Sequence, residues 1–336
     1  MLARRCNLQT APAGRSAGWN PVRACTSTSR RSIRVAAQAQ PSQAAEVASS
    51  SGDGSSGQKT FHHGITYVSY EGNCFWVKFN NSGARVLVDP WLVGDLSFFE
   101  QGWLYTGKKR GFGGGSGVQI DVREVASDTD VVLITQWVDD HTHMPTLEAM
   151  PRDIPIIAQP EAAERIKPLG FKSLTTISPG QSMPLCGGKL QLRATAGALV
   201  GPPWSARQNG YALRELGVET PASLYYEPHC DFDASSLAGV GPVDVVVSPV
   251  QSVLLAGYPL LKGDTDLLKL LKLLQPKVLV PLLNADLDQE GKLTTLMSVR
   301  GSSLAADVRQ QLAAAGLSGT KLEYPAPPGE SLALAL

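Results

Sequence analysis

Asp130-Val-Val-Leu-Ile-Thr-Gln-Trp-Val-Asp-Asp-His-Thr-His143 is the stretch that decides the reading of this chain. Val131–Ile134 is an uninterrupted apolar run, too short for a helix and rich in β-branched side chains, so it predicts a buried strand. The strand gives way at Thr135. The chain then delivers Asp140, His141 and His143 into a loop, ahead of a short helix expected to start near residue 146. A carboxylate and imidazoles carried into a loop by a strand end are the raw material of a metal site or an acid–base site. The same groups also make ordinary hydrogen-bond networks, and the residue types alone leave both readings open.

Upstream, residues 65–70, 74–79 and 84–89 are rich in β-formers, and Asn80-Asn-Ser-Gly83 turns the chain between two of them, which predicts a β-meander. Asp89-Pro-Trp91 ends it. Residues 95–127 read as a long irregular loop with a glycine-rich tract at 111–117. No Gly-Lys-Ser/Thr follows that tract, so it is not a phosphate-binding loop. Trp103, Tyr105 and Lys108-Lys-Arg110 sit in this loop. They read as a solvated face, with a grip on an anionic ligand or a peripheral membrane headgroup as the functional alternative. Downstream, buried strands are expected over 154–158, 189–195, 223–227, 243–248 and 277–282. Helices are expected over 161–169, 264–274 and 303–315, stopped by Gly170, Pro276 and Gly316. Meanders followed by strands interleaved with helices, in two halves, fit either a four-layer αββα sandwich or a doubly wound α/β fold.

The formal charge of zero conceals an asymmetry. Residues 1–40 hold seven arginines and no lysine or acid, in a background of Ala, Ser, Thr, Gly and Gln. That is the composition of an organelle transit peptide, and it lacks the apolar core of a secretory signal. Ile33-Arg-Val-Ala-Ala37 resembles a stromal processing site, so a plastid is expected, with the mitochondrion as the alternative. Residues 41–60 read as a flexible linker, 61–325 as the folded domain and 326–336 as a C-terminal tail. The chain beyond the leader is acidic on balance, which argues against nucleic acid as a partner. No apolar run is long enough to span a membrane. Cys6 and Cys25 fall in the leader. Cys74, Cys186 and Cys230 lack CxxC spacing, so neither a disulfide framework nor a structural zinc site follows.

The opening stretch resembles the metal loop of the metallo-β-lactamase superfamily, which reads Thr-His-x-His-x-Asp-His. Thr135, Asp140 and His141 match it, while Gln136 and Val138 stand where the family has histidines. The resemblance covers about residues 61–325. It is closest to the branch typified by ascorbate-6-phosphate lactonases and to a cyanobacterial and plastid subgroup, and it implies the αββα sandwich. It also implies that Asp89, in Asp89-Pro-Trp91, orients the ligands. The family's third histidine would fall near residues 197–201, where none exists. Its bridging carboxylate falls at Pro228-His229, and its last histidine falls in Leu282-Leu-Asn284. A dinuclear centre is therefore not expected.

Asp140, His141, His143 and His229 remain as candidate ligands for at most one divalent metal (zinc, manganese or iron), or as a metal-free polar site. Asp140, His141 and His229 are the candidate catalytic groups. Gln136, Trp204, Tyr211 and Glu227 are expected around the same cleft. His141 with Asp140, or His229 with Glu227, would serve as acid–base pairs. A triad using Cys230 or Ser248 has no nucleophile elbow to support it. His62 and His63, before the first strand, are expected in solvent. Two functions follow. One is hydrolysis of an ester, lactone or phosphoester of a small-molecule substrate. The other is a non-catalytic ligand-binding or assembly module that keeps the cleft.

Overall fold

The computed structural model describes residues 63–98, 101–112, 119–201 and 204–336. The expected leader, the linker, His62 and most of the glycine tract lie outside the described residues. The first half of the fold runs β1 (Gly64–Ser69), β2 (Phe75–Phe79), β3 (Arg85–Val88), β4 (Leu96–Ser97), β5 (Thr106–Lys108), α1 (Val122–Ser127), β6 (Val131–Ile134), α2 (Met144–Ala149), β7 (Ile156–Ala158), α3 (Pro160–Ile166) and β8 (Leu174–Thr176). The second half runs β9 (Ser182–Leu185), β10 (Leu190–Leu199), β11 (Arg207–Glu215), β12 (Ser223–Tyr226), β13 (Val245–Pro249), β14 (Ser252–Leu255), β15 (Tyr258–Lys262) and α4 (Gly263–Leu274). It closes with β16 (Val278–Leu282), β17 (Asp288–Glu290), β18 (Met297–Arg300), α5 (Ala305–Ala314), β19 (Lys321–Leu322) and β20 (Ser331–Ala335).

Two seven-stranded sheets carry the fold, in the orders β20-β1-β2-β3-β6-β7-β8 and β19-β16-β13-β12-β11-β10-β9. Each has an antiparallel part joined to a parallel part, through β3 against β6 in one and β12 against β13 in the other. Strand alternation explains the layers. Val86, Val88, Val131 and Leu133 face inward with Val245, Val247 and Val280 in the core between the sheets. Leu87, Val132 and Ile134 face outward under Leu147, Ala162 and Ile166 of α2 and α3. Val246 and Leu279 face outward under α4 and α5. Strands covered on both faces must be apolar throughout, which is why β6 and β13 read as continuous apolar runs. The result is helix, sheet, sheet, helix, and the doubly wound alternative is excluded by the second sheet.

α4 shows how sequence sets the outer layer. Leu267, Leu270, Leu271 and Leu274 recur at helical spacing and are all buried. The helix ends where Gln275 turns left-handed, at φ 45°, just before Pro276. Truncating Leu270, which has no exposure, to alanine would cost about 2–5 kcal/mol.

Several expectations need correction. Residues 326–336 are not a free tail, because β20 pairs with β1 along its whole length and Leu334 is buried. The loop over 95–127 contains β4, β5 and α1, the last capped by the Asp121 carboxylate. Its basic run is a solvated face at Lys108 and Arg110, which pair with acids rather than standing free for an anion, but not at Lys109. Lys108 pairs with Glu290 and Arg110 with Asp288, whereas Lys109 is buried, bonded to the Tyr70 and Trp91 carbonyls and stacked over the Trp91 ring. Tyr105 is buried as well, and Trp103 is exposed beneath Lys292.

A candidate metal centre beside an apolar cavity

The candidate groups collect where strands end. Asp89 follows β3, the 135–143 loop follows β6, the 227–231 turn follows β12, and Asn284 follows β16. These strands lie in the parallel parts of the two sheets, so their carboxyl ends face one mouth, the usual place for ligands in such sheets.

Asp89 is fully buried and adopts a left-handed φ of 44°, an uncommon conformation for a residue with a Cβ. Its carboxylate is saturated. Oδ1 accepts the Thr135 amide at 2.8 Å. Oδ2 accepts the Thr135 hydroxyl at 2.6 Å, the His141 Nδ1–H at 2.7 Å and the Tyr226 hydroxyl at 2.9 Å. A carboxylate can only accept, so the proton of the His141 ring sits on Nδ1 and Nε2 faces the mouth. Thus Asp89 orients His141.

His141 Nε2 lies 3.4 Å from His229 Nε2 and 3.4 Å from Asp140 Oδ2. The three side chains form a group whose donor atoms lie within 4.8 Å of one another. Burial pulls the His141 ring down, but the Asp140 and Asp89 carboxylates outweigh it and hold the ring above its ordinary value. Burial, and then the facing His141, push His229 down to about 3. Burial also pushes the Asp140 carboxyl up.

Two amides complete the cluster. Asn284 Nδ2 donates to the Pro228 carbonyl at 2.8 Å and to Asn73 Oδ1 at 2.9 Å. A carbonyl cannot donate, so this chain fixes both amides. Asn73 Nδ2 must then donate to Asp140 Oδ2, at 2.9 Å, and lie 3.2 Å from His141 Nε2. Sequence reasoning missed Asn73, which reads as a turn residue between β1 and β2, and took Asn284 only as a histidine lost.

His143 does not join the group. It caps α2, its Nδ1 meets the Thr146 hydroxyl at 2.9 Å, and its ring leans on Trp91. Burial pushes it down to about 4. Gln136 is fully buried, and neither atom of its amide has a partner among the described residues. Tyr211 does not line the mouth. It is buried between the sheets, its hydroxyl donating to the Ile134 carbonyl at 2.7 Å. Trp204 is 86% exposed and is not among the residues lining the cavity. Glu227 is buried and pushed up to about 8 by that burial. Its Oε2 accepts the His229 and Asp231 amides at 3.1 and 2.8 Å, which pins the turn carrying His229. His63 faces Asn81, apart from the site.

A cavity of about 230 Å³ opens against this cluster. Asn73, Asp140, His229 and Asp231 form its polar end. Burial pushes the Asp231 carboxyl up, but Lys262 and Arg207, at 3.0 and 3.1 Å, outweigh it and hold it below the carboxylate range.

Residues 65–283 match the β-lactamase superfamily domain, and the chain belongs to the metallo-β-lactamase superfamily. No curated protein matches it in sequence. Among solved structures it is similar to an isothiocyanate hydrolase from Delia radicum gut bacteria, at 18% identity and a TM-score of 0.56 over 81% of this chain and 100% of that one. It is also similar to a metallo hydrolase from the hyperthermophilic archaeon Ignicoccus hospitalis, at 17% identity and a TM-score of 0.52 over 81% of this chain and 99% of that one. At such identities the likeness speaks for the fold alone.

Proposed function

We propose that the protein is a hydrolase of esters or lactones that uses a single divalent cation held by Asp140, His141 and His229. The carrying observation is the 3.4 Å spacing of His141 Nε2 from both His229 Nε2 and Asp140 Oδ2. Two nitrogen ligands about 2.0–2.1 Å from a tetrahedral ion lie about 3.4 Å apart. The donor set therefore fits one ion, and zinc, manganese and iron all accept imidazole with carboxylate. Such a cation supplies Lewis acidity, which polarises a carbonyl oxygen and makes water easier to deprotonate. The rest is done by the chain. Asp89 fixes the His141 tautomer, Asn73 orients Asp140 and Glu227 holds the His229 turn. The half-buried Asp140 carboxylate, which faces the cavity, is placed to accept a proton from water.

Metal content after dialysis tests this reading. The expected result is at most one equivalent of divalent metal per chain, bound by the parent and lost in His229→Ala, with thermal unfolding of that variant still cooperative. Two stoichiometric ions, or one retained by His229→Ala, would defeat it. A second reading, a metal-free binding module, is favoured by the Asn284–Asn73 relay, which places an N–H against His141 Nε2. Absence of metal from the parent and of esterase activity would select it. The arginine-rich leader supports import into a plastid. The native protein is then expected to start between about residues 35 and 45. A native protein retaining Met1 would remove that assignment.

A further inference from the structure

The cavity beside the cluster says more about the substrate than the cluster does. Beyond its polar end, the walls are apolar. Leu96, Tyr105, Val253, Leu255, Leu261 and Met297 are among the lining residues. The last four belong to a separate three-stranded sheet, β15-β14-β18. That sheet continues outward as apolar surface, with Tyr258 56% and Val299 52% exposed. Among the described residues, no Lys or Arg lines the cavity. Lys262 and Arg207 pair with Asp231, one of its lining residues. An apolar arm fits these walls.

We propose that the substrate is an ester or lactone with an apolar arm, its carbonyl at the cation held by Asp140 and His229 and its arm among Leu96, Tyr105, Val253, Leu255, Leu261 and Met297. This rests on the hydrolase reading for the reaction, but the binding part is separable. Release of the arm from water should strengthen binding by a constant factor for each methylene until the cavity is full.

The test uses non-hydrolysable methyl n-alkyl ketones, from butyl to nonyl, titrated calorimetrically into the full-length protein. Affinity is expected to rise about three- to four-fold per methylene and then level off. Leu255→Ser should flatten the slope. Met297→Trp should bring the plateau to a shorter chain. Both residues are half-buried, and an unchanged thermal midpoint shows that each variant is folded. Affinity independent of chain length, or a series unmoved by both substitutions, overturns the proposal. Turnover of a short ester such as p-nitrophenyl acetate, compared between parent and His229→Ala, reads the reaction separately. The arm can therefore fail while hydrolysis stands, and hydrolysis can fail while the arm stands.

Discussion

Two neighbouring regions at the end of β6 have opposite bookkeeping of polar groups. Around His141 most groups are held, with only Asn284 Oδ1 and Glu227 Oε1 lacking a partner among the described residues. Asp89 accepts four hydrogen bonds, Asn73 reaches Asp140 and His141, and Asn284 fixes Asn73. Five residues earlier, Gln136 is buried with neither amide atom partnered among the described residues, and Val138 offers no donor at all. The family resemblance places one metal in each region. The difference teaches that the polar groups around His141 are largely organised, whereas Gln136, where the resemblance would put a histidine, is an amide without a partner among the described residues. A buried polar group without partners costs free energy, so Gln136 adds nothing to stability through its amide.

The largest effect should come from the satisfied region. Asp89→Ala leaves His141 Nδ1, two Thr135 donors and the Tyr226 hydroxyl without their common acceptor. A loss of about 3–5 kcal/mol in unfolding free energy is expected, together with loss of any bound cation. Urea denaturation and metal analysis check this, and a loss below about 1 kcal/mol would show that the cluster is not organised by Asp89. The next effect concerns Lys109, which is partnered like Asp89 yet buried as a cation. Burial lowers its pKa to about 8 from 10.5. Between these values the unfolded chain holds a proton that the folded chain has lost, so stability should rise with pH across that window. The expected rise is about 1–3 kcal/mol from pH 8 to 10.5, absent in Lys109→Met. Parallel pH–stability curves for the two proteins would show that Lys109 stays charged.

The sequence exposed the parts of the fold that rest on a single periodicity. β6 is a run of four apolar residues covered on both faces, and α4 repeats leucine at helical spacing. β11 was not legible. Arg207-Gln-Asn-Gly-Tyr-Ala-Leu-Arg-Glu215 carries a glycine and several polar residues and reads as a loop. It is a central strand because of tertiary fit. A Cβ on Gly210 would meet the Thr195 hydroxyl at 2.7 Å and the Tyr225 hydroxyl at 2.8 Å, so glycine leaves room for these neighbouring side chains. β20 was lost for another reason, since its partner β1 lies at the opposite end of the described residues in sequence. At the site, the Asp140-His141 pair and His229 stand out as residue types. Asn73 and Asn284 do not, because an amide in a turn is ordinary until its partners are known.

The smallest effect is the sharpest probe of the comparison. Gln136→Met keeps the shape and approximate volume of the side chain and removes an amide that has no partner. Replacing an unsatisfied buried polar group by an isosteric apolar one is neutral or stabilising, by up to about 1–2 kcal/mol. The Thr142 hydroxyl bond to the residue 136 carbonyl, at 2.6 Å, belongs to the backbone and should survive the substitution. The loop would therefore keep its course, and any cation at Asp140, His141 and His229 should bind as before. The measurement is the denaturation midpoint of the variant beside that of the parent, with metal content on the same samples. An unchanged or raised midpoint with unchanged metal content supports a site confined to the His141 side. A drop of more than about 1 kcal/mol, or loss of the metal, would mean that Gln136 serves a ligand after all, and the contrast between the two regions would collapse.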